Sequence, residues 1–148
     1  MPTVREVTAD EIQPLRQRVL RPHQQLDELR EPDDDAPDSA AFAAVDDAGV
    51  VVATGTVKRR PPPFPHPGDV PAWQLGAMAV DPGHRGEGLG SAILDAILRH
   101  VDARGGGLVW CNARIPARGF YLHHGFEVAS APFELPDIGP HVVMTTHR

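Results

Sequence analysis

The sequence predicts a mixed α/β fold, and three stretches carry that prediction. The nearly all-apolar run Trp73–Val80 passes through a glycine-rich turn into a helix-patterned segment, and then into a second apolar run, Leu108–Cys111. Strand, turn, helix, strand in that order is the signature of a βαβ unit with two parallel strands. Before it, Ala41–Val45 and Val50–Val57 are apolar runs rich in β-formers. They flank Asp46-Asp47-Ala48-Gly49, whose turn chemistry predicts a hairpin. After it, Phe126–Ala129 and His141–Thr146 read as late strands paired antiparallel.

The remaining elements follow in chain order. Val4–Val7 is a short first strand. Thr8 stands three residues before Glu11, a capping-box spacing that starts a helix. Ile12, Leu15, Val19 and Leu20 form its apolar face, and Pro22 stops it. Glu31–Ser39 holds Asp33-Asp34-Asp35 and two prolines and reads as an exposed loop, while Pro61–Pro71 is too rich in proline for either regular structure. A strong helix runs from Ser91, with Ile93, Leu94, Ile97, Leu98 and Val101 as its apolar stripe and Asp95–Arg99 as an i,i+4 pair opposite. Gly105-Gly106-Gly107 ends it. Ile115–His124 reads as a further helix with Pro116 in its first turn and Gly125 as its cap.

Bulk properties narrow the function. The chain has 148 residues, one domain's worth, so residues 1–148 are read as a single domain. Cys111 is the one cysteine, which excludes an intrachain disulfide framework. The N-terminus lacks the basic and apolar regions of a signal peptide, and no apolar run approaches the ~20 residues of a membrane span. A cytoplasmic location is expected. The net charge of −6 and the absence of a long basic run argue against nucleic acid as a partner, and leave small molecules.

The turn His84-Arg85-Gly86-Glu87-Gly88-Leu89-Gly90, placed between a strand and a helix, has the makings of an anion site. The first N–H groups of a helix lack intrahelical partners, and the dipole there is positive. Glycines 86, 88 and 90 let the backbone approach a phosphate, and Arg85 adds a fixed charge. Alone, such a turn equally suits a tight connection with no ligand. It is not a P-loop, because no Lys-Ser or Lys-Thr follows the last glycine. Nor is it the dinucleotide fingerprint, whose third glycine falls one residue later.

The segment Met78–Leu94 resembles the acetyl-CoA-binding segment of GNAT acetyltransferases. Their pattern, Gln or Arg followed by x-x-Gly-x-Gly/Ala, is met by Arg85-Gly86-Glu87-Gly88-Leu89-Gly90. A second family signature, an alanine followed by an aromatic–Tyr pair and then Gly-Phe, is met by Ala117, Phe120-Tyr121 and Gly125-Phe126, in the right order. The resemblance is firm over Trp73–Phe126. At Ile138–Met144 it extends to the last strand of the small bacterial ElaA-like subgroup. It implies a central mixed sheet of about six to seven strands, splayed at the CoA site, with about four helices around it. It also implies acetyl-CoA as co-substrate, no metal, an amine acceptor on a small molecule or peptide, and the family habit of homodimers.

Site residues follow from the same resemblance. The backbone of Met78, Ala79 and Val80 would bond the pantetheine arm. The pyrophosphate would lie on Arg85, Gly86, Glu87, Gly88, Leu89, Gly90 and Ser91. Phe120 and Tyr121 would line the cofactor. Where many members place an asparagine seven residues before the tyrosine this chain has Arg114, with Asn112 two residues earlier, so either is a candidate contact. Tyr121 is the candidate general acid for the leaving thiolate. The base is open among His141, Glu134, Asp137 and a water chain, because Gln74 stands in the central strand where some members carry a glutamate. His141 is preferred, since imidazole titrates in the useful range. His123 and His124 read as helix surface. The acidic Asp33–Asp35 would draw a cationic acceptor, whereas Arg59 and Arg60 would suit an acidic one. Two other readings stand beside this one: a non-catalytic acyl-CoA-binding or regulatory module, and a nucleotide-binding domain of another class resting on the glycine turn alone.

Overall fold

A computed structural model describes residues 2–148. Eight strands form one mixed sheet: β1 (Thr3–Val7), β2 (Ala40–Val45), β3 (Val51–Arg59), β4 (Ala72–Val80), β5 (Leu108–Arg114), β6 (Glu127–Val128), β7 (Phe133–Leu135) and β8 (Gly139–His147). Their order is β1-β2-β3-β4-β5-β8-β6, with β7 also paired to β8. Only β4 and β5 run parallel; the other pairs are antiparallel. Three α-helices accompany the sheet: α1 (Ala9–Leu20), α2 (Leu89–Asp102) and α3 (Arg118–His123).

The two faces of the sheet are covered by different helices, and alternation along β2 shows how. Ala41, Ala43 and Val45 pack with Ile12 of α1, while Ala40, Phe42 and Ala44 join the larger core built on α2. Thr8 caps α1 as the spacing predicts, with its hydroxyl accepting from the Glu11 amide and Glu11 reaching back to the Thr8 amide. The stripe of α2 is buried as predicted, with Ile93, Ile97 and Val101 fully shielded. Gly55 of β3 lets that helix sit close: a Cβ there would come within 2.5 Å of the Ile93 Cγ2 and 2.7 Å of the Met78 Sδ.

Some expectations need correction. The sheet has eight strands and the helices number three, against about six to seven and about four. β7 escapes pattern reading because it is three residues long between Pro132 and Pro136. After α1 the chain makes only one 3-10 turn, Leu26–Leu29, before the proline-punctuated segment that leads to β2. The predicted helix 115–124 splits into a 3-10 turn at Ile115–Ala117 and α3. Among the described residues no helix is long and apolar enough to cross a membrane.

Candidate functional site

The site begins where β4 leaves β5. The two strands pair only from Ala72↔Leu108 to Gln74↔Trp110. From Leu75 onward the β5-facing edge of β4 has no strand partner. On its other edge, β4 carries a bulge: Thr56 pairs with Gly76 and Thr54 with Ala79, so three steps on β4 oppose two on β3. Ala77 takes up the extra length with φ +51°, left-handed for a non-glycine residue. Its carbonyl is held by the Thr54 hydroxyl at 2.8 Å.

Past the bulge, Met78–Val80 lead through Asp81 into the glycine turn. Asp81 closes that corner, accepting from the Gly83 amide at 2.9 Å and from Arg18 at 2.9 Å. Gly86 (φ +80°) and Gly88 (φ +78°) then turn the chain left-handed into α2, which is why glycine is needed at both. Among the described residues, the amides of 85–91 find no backbone or side-chain acceptor, and the first bond into the helix runs from Ala92 to the Gly88 carbonyl. A Cβ at Gly88 would meet nothing within 4 Å, so the approach to these donors is open. The edges of the turn are set by contacts. The Phe120 ring lies against Gly90, where a Cβ would be 3.4 Å away, and Ser91 Oγ is 2.9 Å from His124 Nε2. His124 is therefore half-buried, a correction to its reading as helix surface; His123 is exposed as expected. Arg85 and Glu87 are exposed, and Glu87 pairs with His84 at 3.1 Å.

The splay opens into a cavity of about 210 Å³. Its β4 wall is Gln74–Met78, its β5 wall Cys111–Arg114. Tyr121 and His141 both face it. Tyr121 is buried between the rings of Phe120 (5.2 Å) and Phe126 (5.3 Å). Burial, and then the nearby Cys111, raise the tyrosine pKa above its ordinary value, so the phenol stays protonated. Burial likewise pushes the Cys111 thiol up to about 12. His141 is 3% exposed and stacks on Phe133. Its Nδ1 is 2.8 Å from the Gly139 carbonyl. A carbonyl can only accept, so Nδ1 carries a proton, which leaves Nε2 as the nitrogen of the ring that can exchange one. Of the other base candidates, Glu134 and Asp137 are exposed and outside the cavity lining. Gln74 is occupied, accepting from Arg60 at 2.9 Å.

The acidic loop is not a solvated surface. Lys58 Nζ lies among Glu31 (3.0 Å), Asp33 (3.2 Å) and Asp34 (2.6 Å), and the Asp34 side chain is 4% exposed. These three carboxylates converge closely enough to hold an ion, and the Lys58 ammonium takes that position. Arg60 pairs with Asp33 and Glu31, and Arg16 with Glu31 at 3.0 Å. Burial alone would raise Glu31, but hydrogen bonds from Arg60, Lys58 and Arg16 outweigh it and bring the carboxyl down to about 2. Arg60 brings Asp33 to about 2 as well. The loop thus closes one wall of the cavity instead of advertising negative charge. Arg59 points the other way, over Trp73 at 5.1 Å and toward Asp38.

Sequence reasoning missed Arg16, Arg21, Thr56 and Lys58 as cavity residues. For β3 a signal existed: Thr56, Lys58 and Arg60 alternate, so they share one face. Arg16 and Arg21 belong to no motif, and only the packing of α1 across β4 brings them in.

The family model described as Acetyltransferase (GNAT) family matches residues 6–126. The chain is 29% identical over 141 residues to a protein of Bacillus subtilis (strain 168) named as the uncharacterized N-acetyltransferase YitI, covering 95% of this chain and 93% of that one. Among solved structures, Escherichia coli ElaA superposes with TM-score 0.76 at 17% identity over 97% of this chain and 98% of that one. An aminoglycoside 6'-N-acetyltransferase complexed with coenzyme A gives 0.69 at 15%, covering 98% and 96%. At such identities the structural likeness bears on the fold.

Proposed function

The chain belongs to the acetyltransferase (GNAT) family, and from that premise we propose that it moves an acetyl group from acetyl-CoA to a primary amine of a small molecule or peptide, by direct attack in a ternary complex. The reading is carried by the free end of β4: its edge is unpaired beyond Gln74, it reaches from a cavity faced by Tyr121 and His141 at Met78, and the chain that follows it presents unbonded amides at 85–91.

Arg85–Ser91 fit a diphosphate because their donors are free and unobstructed. The free edge of Met78–Val80 suits the amide-bearing pantetheine arm, which would add to β4 as a strand does. Phe120, whose ring lies against Gly90, would border the arm, and Asn112 and Arg114 stand on β5 across the splay. Acetyl-CoA supplies the thioester. His141 Nε2 accepts the proton lost by the attacking amine, directly or through water. A backbone amide near Met78 polarises the carbonyl. As the C–S bond breaks, Tyr121 donates to the departing thiolate, so the proton leaving nitrogen is balanced by one gained at sulfur. A single cysteine, Cys111, with no second to pair with, suits a reducing, cytoplasmic setting.

The test is thiol release from acetyl-CoA over a panel of amines, with calorimetry of CoA, ATP and NAD alongside. Turnover with at least one amine and selective CoA binding are expected. Tight CoA binding without turnover on any amine would instead favour a non-catalytic acyl-CoA module. Stronger binding of NAD would overturn the assignment of the glycine turn.

A further inference from the structure

The acceptor end of the cavity is strongly cationic. Arg16, Arg21, Lys58, Arg60 and Arg114 line it, and Glu31 is the one carboxylate among the lining residues. Asp33 and Asp34 join Glu31 from behind, and these three account for Arg16, Lys58 and Arg60. Arg21 and Arg114 are left over. Among the described residues neither meets a carboxylate. Both donate instead to the same acceptor, the Leu20 carbonyl, at 3.1 and 2.9 Å. Two guanidiniums that converge on one neutral oxygen from α1 and β5 retain most of their donors. In addition, Arg16 Nε is buried with no partner. Burial lowers the pKa of Arg21 and of Arg114; in Arg21 the neighbouring Arg16 and Arg114 push it further down against a smaller opposing pull from Glu31.

We propose that Arg21 and Arg114 hold an oxyanion of the acceptor, so that the substrate is a small primary amine that also carries a carboxylate or phosphate. This rests on the transferase reading of the same cavity. Guanidinium is the group suited to both anions, since its planar fork matches their paired oxygens. Supplying the missing counter-charge at a desolvated arginine pair favours an anionic over a neutral molecule of the same shape, whereas a polycationic amine is repelled. A cavity of about 210 Å³ suits a small acceptor. His141, across the β5–β8 ladder from Arg114, then faces the amine end while the arginines hold the other.

Matched pairs test this: O-phosphoethanolamine against ethanolamine, and 4-aminobutyrate against butylamine, with spermidine as the cationic arm, in buffer free of phosphate and sulfate. Two readouts are taken on the intact protein. The first is thermal protection by each amine in saturating CoA, which reports binding without chemistry. The second is kcat/KM with acetyl-CoA. The anionic member of at least one pair should protect and turn over about tenfold better than its neutral partner, and the pair that responds identifies phosphate or carboxylate. In Arg21→Gln that preference should collapse toward one, with partial retention in Arg21→Lys. Protection by an anionic amine without turnover upholds the anion site and sinks the transferase reading. Turnover that favours neutral amines or spermidine does the reverse. Neither protection nor turnover by any anionic amine overturns the oxyanion proposal outright.

Discussion

The Thr54 hydroxyl donates to the Ala77 carbonyl at 2.8 Å, and this single cross-strand bond pins the bulge that turns β4 away from β5. Thr54 is 1% exposed, so the bond is shielded from water. Thr54→Val keeps the volume and removes the donor. It should cost about 1 kcal/mol of stability and weaken CoA binding several-fold, because the edge it braces is the one offered to the pantetheine arm. Denaturant melts and calorimetry read the two effects. An unchanged CoA affinity in a destabilised variant would show that the bulge does not shape the binding edge. The companion change Ala77→Gly removes the cost of a left-handed φ at a residue with a Cβ and should stabilise by about 0.5–1 kcal/mol.

At the glycine turn the prediction separates charge from shape. Gly88 is left-handed and opens onto empty space, so Asn and Asp fit there with equal strain. Gly88→Asp sets a carboxylate where the diphosphate would lie; Gly88→Asn sets its neutral isostere. Both should fold with similar Tm, and the Asp variant should bind CoA at least about tenfold more weakly than the Asn variant. Equal affinities would remove the diphosphate from this helix N-terminus.

Tyr121→Phe isolates the proton-donor role. Among the described residues no group hydrogen-bonds the phenol, and its ring packs against Phe120 and Phe126. Removing the oxygen should therefore leave Tm within about 1–2 °C and CoA affinity nearly intact, while kcat falls about 10²-fold. A variant with wild-type kcat would reduce Tyr121 to a packing residue.

What the sequence discloses and what it hides follow from the range of the interactions. The capping box at Thr8 and Glu11, the hairpin turn at residues 46–49 and the glycine turn at 84–90 are local patterns, and each stands where it was expected. The cavity is different. Its walls join α1, the acidic loop, β3, β5 and β8, so Arg21 meets Arg114 across ninety-odd residues of chain, with no spacing to betray it. The acidic loop misled because Asp33 and Asp34 look as solvated as the exposed Asp35 until Lys58 is placed among them and Glu31. The bulge at Ala77 was invisible for a plainer reason, since alanine carries no turn signal.

The ion network that closes the cavity makes acid stability the last prediction. Glu31 and Asp33 are each held at about 2 in the folded protein, below the ordinary carboxylate range. A depressed folded pKa means the unfolded chain binds the proton more readily than the native one. The stabilisation is therefore fully present above the ordinary values near pH 4 to 4.5, and is lost as pH falls toward 2. Tm should hold level from about pH 7 to 5 and then drop by several degrees between pH 4.5 and 2.5. Calorimetric melts across that window measure it. In Glu31→Gln the slope should flatten, because one of the two linked protons is gone, and the remaining decline then reports Asp33 with the other carboxylates. An equally steep decline in Glu31→Gln would mean that Glu31 is not held below its ordinary range, and that the cavity wall is not braced by its charge.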